Sequence, residues 1–593
     1  MKKELFSYGT QNTWAIFFLT LIALSVFATS DEVSNGNILA KYLHIDLVTT
    51  AVITAFGINL FIRKKYSIEF SLIDILVAIF ATYVSVQSLI QGSILSLDYI
   101  NFFALVATYY AIVIFLRHGI VKADTLVTIF LVTCTLQSIY GTLQHSNNQI
   151  VKGSFNNPGP YAIYIANLAV LAATVLFRHY SKIEFVPRRL ELISICAIFF
   201  AAISMLFADS RTSWISATVG IVSLIFIFLK SIKYRPRFTS RGILLLGLGS
   251  IAAFIFVIWL YRHKENSADG RLVVWKVATQ MASENPLFGL GPFSFDNHYG
   301  TFQANYFACN GVKSNEATLA DQVDYAYNDF LQITVELGLI GLLLFLAILI
   351  LALRNINCIG FPMLTSCVAG ALTSYPAEGA PTILNFLIAI ALCAFNSGSA
   401  WKFQFQRTKP AAGALALVAV LVIIFATLDW RRRTEYYAAI RLYNSDEFKE
   451  SIKIFQKIDS EYQIKDSEAL SYFAKSLAIT GLHNKALVVY ERALAIKNEY
   501  YLNLNYGITL EETGHYNNAE VAYIAANNMI PNRVYPKYLL SKYYARIGDR
   551  SRADYMASKV IEMNEKVPSV AIREMKEEMR KYLNQKTIHS AEP

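Results

Sequence analysis

The stretch YNDFLQITVELGLIGLLLFLAILILA, Tyr327 to Ala352, decides the fold class. From Ile333 onward it holds a single ionisable residue, Glu336, over 20 residues. That is the length an α-helix needs to cross bilayer hydrocarbon. Similar runs lie near 13–29, 45–62, 70–90, 99–116, 123–141, 159–177, 190–207, 212–229, 242–260, 358–375, 381–397 and 411–429, giving about thirteen spans. The runs are continuous rather than alternating, which excludes a β-barrel. A chain of 593 residues that is 55% hydrophobic and 16% charged is neither a soluble enzyme nor disordered. The first run lacks a small-residue cleavage site and is read as a span, not a signal peptide.

Charge divides the chain. Residues 431–593 hold 46 of the 96 charged residues, so 1–430 read as a membrane domain and 431–593 as water-soluble. The fold class is therefore all-α: a polytopic helical domain followed by a helical soluble domain. Lys and Arg cluster in alternate connections, at Lys2–Lys3, Arg63–Lys65, Arg117–Lys122, Arg178–Arg189, Lys230–Arg241, Arg354 and Lys402–Lys409. The opposite short connections hold only Lys41, Lys152 and Arg211. The positive-inside rule then makes the N-terminus cytoplasmic and puts loop 261–328 and the tail outside, against which stand Arg431, Arg432 and Arg433. This topology also absorbs most of the net charge of +10, so no nucleic-acid partner is expected.

The tail repeats. Gly481, Gly514 and Gly548 are 33 and 34 residues apart, and Ala486, Ala519 and Ala553 follow each by five. Tyr490 and Tyr523 come four residues later, and Ala493 and Ala526 three beyond. A period near 34 with small residues at helix crossings is the tetratricopeptide pattern, with Ser451 and Phe455 marking a degenerate earlier repeat. Such arrays bind peptides or partner proteins, or serve as platforms.

Polar groups that a bilayer should exclude are where function is sought. Four clusters qualify, all on the outer side. At Gly153-Ser154-Phe155-Asn156-Asn157-Pro158, Asn156 and Asn157 could bind sugar hydroxyls; the alternative is an ordinary turn before a helix. In Asp209-Ser210-Arg211, Arg211 is held where a lipid-linked phosphate would lie, or snorkels, or is neutralised by Asp209. Residues 271–282 read as an interfacial amphipathic helix on which Arg271 and Trp275 share a face. Arg271 in its first turn would oppose the helix dipole, which suggests another task. Gly289-Leu290-Gly291 lacks the third glycine and preceding strand of a nucleotide site. Finally Asn328, Gln332 and Glu336 form a stripe entering the membrane beside Tyr325 and Tyr327, with Arg211 or Arg271 expected to pair Glu336, functionally or as a structural ion pair. No zinc spacing or disulfide framework occurs among six cysteines, so no metal and no cofactor are expected.

Together these residues resemble the O-antigen ligase superfamily of lipopolysaccharide ligases, O-antigen polymerases and bacterial protein O-oligosaccharyltransferases. The matching signature is Gly-x-Phe-Asn-Asn at 153–157, Ser-Arg at 210–211, Gly-Arg…Trp at 270–275 and Asn-Pro-Leu-x-Gly-x-Gly at 285–291. Tyr-Asn-x-x-Leu-Gln…Glu-x-Gly-x-x-Gly at 327–341 and Tyr375-Pro376 complete it, over roughly 70–400. A tetratricopeptide-like tail is more similar to protein-glycosylating members. Where members commonly carry a His before the Asn, this sequence has Tyr327. A phenol with a pKa of about 10 is a poor base at neutral pH. His298 in the same loop is a substitute base or a solvated loop residue.

The resemblance implies an enzyme of the bacterial inner membrane that takes an undecaprenyl-diphosphate-linked glycan as donor at the periplasmic face. It implies a protein or lipid A–core acceptor, and the lack of clustered carboxylates or a His pair for a divalent ion makes metal-independent transfer the expectation. Arg211, Arg271, Tyr327, Asn328 and His298 would be catalytic, and Asn156, Asn157, Tyr325, Gln332, Glu336 and Trp275 would bind substrate. Membrane lipids and a protein ligand of the tail are the further partners. Glycan polymerisation is the near alternative. A transporter or flippase is a different class, and a pure scaffold would leave Arg271 and Glu336 unexplained.

Overall fold

The computed structural model describes residues 8–62, 66–93, 96–231, 265–311, 315–398, 400–405, 408–563 and 569–589. These are helical almost throughout, as apolar spans must be when no water can pair their backbone groups. The first eight helices are α1 (Tyr8–Leu24), α2 (Gly36–Ile62), α3 (Leu72–Ile90), α4 (Leu97–Arg117), α5 (Ala123–Ser146), α6 (Pro158–Tyr180), α7 (Arg188–Phe207) and α8 (Arg211–Ser231). Three loop helices follow: α9 (Glu265–Glu284), α10 (Phe295–Asn310) and α11 (Asn315–Leu319). Then come α12 (Asp329–Leu353), α13 (Phe361–Thr373), α14 (Ala380–Asn396) and α15 (Thr408–Asn444). Eight described helices are long and apolar enough to cross a membrane: α2 to α7, α12 and α15. Shorter apolar helices cover Asn12–Phe27, Arg211–Ile227, Phe361–Thr373 and Ala380–Asn396. The span expected at 242–260 lies outside the described residues.

By contacts the chain divides into two compact units. One comprises Met1–Leu260, Asn285–Phe293 and Tyr327–Arg431; the other comprises Tyr261–Glu284, Ser294–Ala326 and Arg432–Pro593. Loop 261–328, expected to go with the membrane domain, packs for the most part with the tail. In the first unit α6 is central, touching α5, α7, α8, α13 and α14. Its polar side chains are satisfied inside the bundle. Ser366 donates to Asn167 Oδ1 at 2.8 Å, and Asn385 Nδ2 donates to the Tyr164 carbonyl at 3.0 Å. Such interhelical bonds each contribute about 0.6 kcal/mol in a bilayer, where apolar contact alone does not favour association.

Two of the charged connections pair as antiparallel strands, β1 (Tyr66–Phe70) and β2 (Trp401–Phe405), with Tyr66 opposite Phe405 and Phe70 opposite Trp401. Beside them Arg117, one of the cations used above to set topology, is almost wholly buried against Asp74 at 2.7 Å. Arg117 also donates to the carbonyls of Glu69 and Ala394, at 2.6 and 2.9 Å. The Asp74 carboxylate further accepts from the Ser71 backbone N–H and from Tyr109 Oη, at 2.5 and 2.6 Å. The node ties α3 to α4, through both Tyr109 and Arg117, and through the Arg117 guanidinium to β1 and the end of α14.

In the second unit the tail helices α16 (Phe448–Tyr462), α17 (Ser467–Ile479), α18 (His483–Ile496), α19 (Tyr500–Glu512), α20 (Tyr516–Met529), α21 (Val534–Arg546), α22 (Arg550–Glu562) and α23 (Val570–His589) follow one another. Packing is pairwise: α17 on α18, α19 on α20, α21 on α22. Gly481, Gly514 and Gly548 close α17, α19 and α21 at φ near +80°, and the next residue's N–H bonds back to Leu477, Leu510 and Tyr544 in a Schellman turn. Ala486, Ala519 and Ala553 are fully buried where the paired helices cross. A bidentate pair, Arg492 to Asp459 at 2.7 and 2.8 Å, ties α18 back to α16 and holds the Asp459 carboxyl below its ordinary pKa.

The Asp74 node gives a stability prediction. Asp74→Ala leaves a buried guanidinium without its counter-charge and should cost on the order of 3–5 kcal/mol. Asp74→Leu combined with Arg117→Met removes both charges and should cost far less. Thermal unfolding of the detergent-solubilised protein compares them. An equal loss in the single and double variants would refute the ion-pair account.

Candidate active site

The centre of the first unit's candidate site is a break in α12. Gly338 sits at φ +64° and ψ −169°, outside the helical region. In an intact helix the carbonyls of Val335 and Glu336 would accept from the N–H groups of Leu339 and Ile340. Here those four groups turn to the segment 286–291. Leu290 N–H donates to the Val335 carbonyl and Gly291 N–H to the Glu336 carbonyl, both at 2.8 Å. Leu339 N–H donates to the Pro286 carbonyl at 2.8 Å and Ile340 N–H to the Leu287 carbonyl at 3.3 Å. Two lost helical bonds are replaced by four, as buried backbone groups require. The two backbones approach so closely that a Cβ at Gly289 would overlap Glu336, and one at Gly338 would overlap Leu287.

This crossing sets the polar groups around it. Phe293 N–H donates to Glu336 Oε2 at 3.2 Å, and Gln332 Nε2 donates to Oε1 at 3.3 Å. Asn328 is the N-cap of α12: its Oδ1 accepts from Phe330 and Leu331 N–H at 3.1 Å each. It therefore precedes the helical stripe rather than forming its first rung. Tyr327 adopts φ +52° and stands edge-on to Tyr375 at 5.1 Å. Phe293 at +59° and Asp209 at +46° are left-handed too. Such backbone costs on the order of 1–2 kcal/mol per residue and concentrates at functional sites. Tyr327 is itself a candidate, Asp209 precedes Arg211 by two positions, and the Phe293 N–H bonds the candidate Glu336.

Arg211 opens α8 directly after the Asp209 turn and is half-buried. The 153–157 turn is held from behind: Gln144 Oε1 accepts from the backbone of Lys152 and Gly153, and Gln137 Nε2 donates to Ser154 Oγ at 2.7 Å. Lys41, expected as a lone loop cation, donates to the carbonyls of Ala28 and Ser154 at 2.8 and 2.9 Å. Asn156 and Asn157 are exposed at the tip, and Asn157 caps α6 through Gly159 N–H. Neither has a described hydrogen bond to another candidate residue.

The second unit carries Arg271, Trp275, His298 and Tyr325. Helix α9 begins at Glu265, six residues earlier than expected, so Arg271 lies in its second turn and the dipole argument for Arg271 falls away. Val273, Val274, Val277, Ala278 and Met281 are buried on one face, so the period is as read but the face packs inside the unit. Trp275 Nε1 donates to the Ala326 carbonyl at 3.0 Å, which brings Trp275 beside the Tyr325 segment. Lys276 pairs with Glu316 and holds that carboxyl below its usual pKa, while Tyr306 donates to Glu316 at 2.6 Å. Burial and then Glu316 push Tyr306 up to about 12. His298 Nδ1 lies 2.9 Å from the Ser294 carbonyl, which can only accept, so Nδ1 is the donor of that bond. Among the described residues no group of three or more His, Cys, Asp or Glu could hold a metal ion.

Sequence reasoning missed several supports. Asp329, buried, accepts from Ala377 N–H at 3.2 Å and ties α12 to the Tyr375-Pro376 segment. Tyr83 donates to the Leu337 carbonyl at 2.8 Å, Gln87 to Tyr83 at 3.2 Å and Gln91 to the Leu290 carbonyl at 3.1 Å. Their spacing of four in an apolar run was a visible polar stripe.

Residues 196–346 match the family model described as O-Antigen ligase. They enclose Arg211, Arg271, His298, Tyr327 and the whole glycine crossing. The match supports the O-antigen ligase superfamily for this part of the chain. Two curated relatives named "Putative polysaccharide ligase" resemble the chain. That of Rickettsia felis is 28% identical over 158 residues, 25% of this chain and 36% of the relative. That of Rickettsia bellii is 29% identical over 161 residues, 26% of this chain and 37% of the relative. The chain thus spans little more than a third of the length of the curated relatives it matches.

The crossing is testable by substitution. Gly338→Ala imposes a backbone region open essentially to glycine, at a cost on the order of 1–3 kcal/mol before steric overlap with Leu287 is counted. It should lower the thermal midpoint sharply, whereas Gly413→Ala, with open space around it in α15, should leave the midpoint unchanged or raised. Equal midpoints for the two variants would contradict the broken-helix site.

Proposed function

We propose that the protein transfers a glycan from a polyprenyl-diphosphate-linked donor to an acceptor hydroxyl at the periplasmic face of the inner membrane. The acceptor is a protein or lipid A–core. The observation that carries this reading is the match of residues 196–346 to the O-Antigen ligase family model, a stretch that encloses Arg211 and Arg271. In the step proposed, the acceptor oxygen forms a bond to the anomeric carbon as the bond from that carbon to the phosphate oxygen breaks. The electron pair leaves on the polyprenyl diphosphate, and the hydroxyl proton passes to a base. Negative charge grows on the leaving group, and a guanidinium offers it two parallel hydrogen bonds. We assign that stabilisation to Arg211 and Arg271, with transfer independent of a metal ion. His298 Nε2 or Tyr327 takes the acceptor proton. Asn156, Asn157, Tyr325, Gln332, Glu336 and Trp275 are assigned to the sugars. The left-handed turn before Arg211 and the hydrogen-bonded ring of Trp275 four residues from Arg271 support preorganised rather than mobile arginines. The tail is proposed to be tetratricopeptide-like.

Purified protein with a lipid-linked oligosaccharide donor tests this. Arg211→Ala and Arg271→Ala should each lower turnover by about a hundredfold or more, while the protein still inserts and accumulates. Arg271→Lys should also be severely impaired, because it keeps the charge and loses the planar fork. Tyr327→Phe with near-normal turnover assigns the proton to His298; severe loss assigns it to the phenol. Near-wild-type transfer by both Arg→Ala variants would refute the diphosphate role, and no transfer by the wild-type protein would favour a transporter or scaffold.

A further inference from the structure

Loop and tail are joined within the second unit by an interface with its own chemistry. Lys497, in the turn between α18 and α19, is mostly buried and faces three carboxylates: Asp324 at 3.0 Å, Asp296 at 3.3 Å and Glu499 at 3.9 Å. Asp296 and Asp324 belong to the loop, Lys497 and Glu499 to the tail. Burial alone would lower the Lys497 pKa, but Asp296 and Asp324 outweigh it and push it up. The loop residue Gln322 adds a bond from Nε2 to Glu499 at 2.7 Å.

Neutral contacts extend the interface along both inter-pair turns. Asn498 Nδ2 donates to Thr301 Oγ1 at 3.0 Å, and Gly300 lies so close to the Asn498 carbonyl that a Cβ would overlap it. Gln303, nearly fully buried, donates to the Met529 carbonyl at 2.6 Å and the Asp321 carbonyl at 3.0 Å. Asn532 Nδ2 donates to the carbonyls of Thr318 and Ala320 at 2.8 and 2.7 Å. Helix α10 packs along α20, with Ala304 set into the tail's apolar cluster.

We propose that the partner of this tail surface is the chain's own loop helix α10, that the tail acts as an intramolecular clamp on the loop bearing Arg271, Trp275, His298 and Tyr325, and that Lys497 is the positioning residue for glycan transfer. The functional half of this rests on the transfer reading above; the clamp itself does not. The charge count makes Lys497 the sensitive point. Without it, loop Asp296 and Asp324 lose their tail cation and face Glu499, which keeps only Lys475 nearby, so like-charge repulsion drives the two surfaces apart. A tail that served instead as a receptor for the acceptor would need Lys497 for affinity and not for loop order.

Full-length Lys497→Met and Lys497→Arg proteins test the clamp by two readouts. In hydrogen exchange, amides of Phe295–Asn310 should exchange faster in Lys497→Met and at the native rate in Lys497→Arg, with α17 to α22 unchanged. In transfer, Lys497→Met should lose about ten- to a hundredfold in kcat with acceptor KM within about twofold, as displaced catalytic groups predict. Lys497→Arg should recover most of it. Unchanged exchange of α10 overturns the clamp whatever the enzyme does. Faster exchange with kcat intact and acceptor KM raised overturns the positioning role and makes the tail an acceptor receptor. Thr301→Cys paired with Asn498→Cys provides a third arm: after oxidation to the disulfide the enzyme should stay active, and loss of turnover on closure would show that the loop must leave the tail.

Discussion

A membrane helix that breaks must find partners for the backbone groups the break releases. At Gly338 the released groups are the carbonyls of Val335 and Glu336 and the N–H groups of Leu339 and Ile340. Segment 286–291 supplies all four partners. Much of the candidate site depends on that exchange. It fixes Phe293, whose N–H holds Glu336, and it needs glycine at 289 and 338 because the two backbones nearly touch. Tyr83 from α3 takes the Leu337 carbonyl between them, so a third element is bound to the same break.

The crossing also explains how one loop serves two bodies. Only Asn285–Phe293 of loop 261–328 belongs with the spans; the segments before and after it pack with the tail. Loop polar residues such as Asp296, Gln303 and Asp321 find their partners on the tail turns. A loop tied in this way is an ordered carrier for Arg271, Trp275 and His298. Preorganised donors stabilise developing charge without reorganising at the moment of reaction, which is the property the proposed transfer requires.

Much of the fold was legible because the bilayer imposes simple rules. Long apolar runs became helices, and the glycines at 481, 514 and 548 end helices where their period implied. Other features escaped for physical reasons. The break at Gly338 hides inside a continuous apolar run, because hydropathy reads side chains and the event concerns backbone groups. Arg117 counted as a topology charge, yet its partner Asp74 lies 43 positions earlier and only folding brings them together. The start of α9 was misplaced by six residues, since the polar run Glu265–Asp269 carries no apolar period although it is helical. The packing of the loop against the tail was not legible because Lys497 and Asp296 are separated by 201 positions and no local pattern links them. In the candidate site, Asn328, Gln332 and Glu336 were found from spacing, but the cap role of Asn328 needed the helix start, and Asp329 was passed over beside it.

The most direct test of this account is native-state hydrogen exchange at the crossing in the detergent- or nanodisc-embedded protein. If Leu290, Gly291, Leu339 and Ile340 N–H groups are bonded as described, their amides should exchange as slowly as those of the buried helix α6, and Gly338→Ala should release all four together. Exchange of Leu290 and Gly291 at the rate of an exposed loop in the native protein would contradict the account, because the broken helix would then lack the partners on which the site is built.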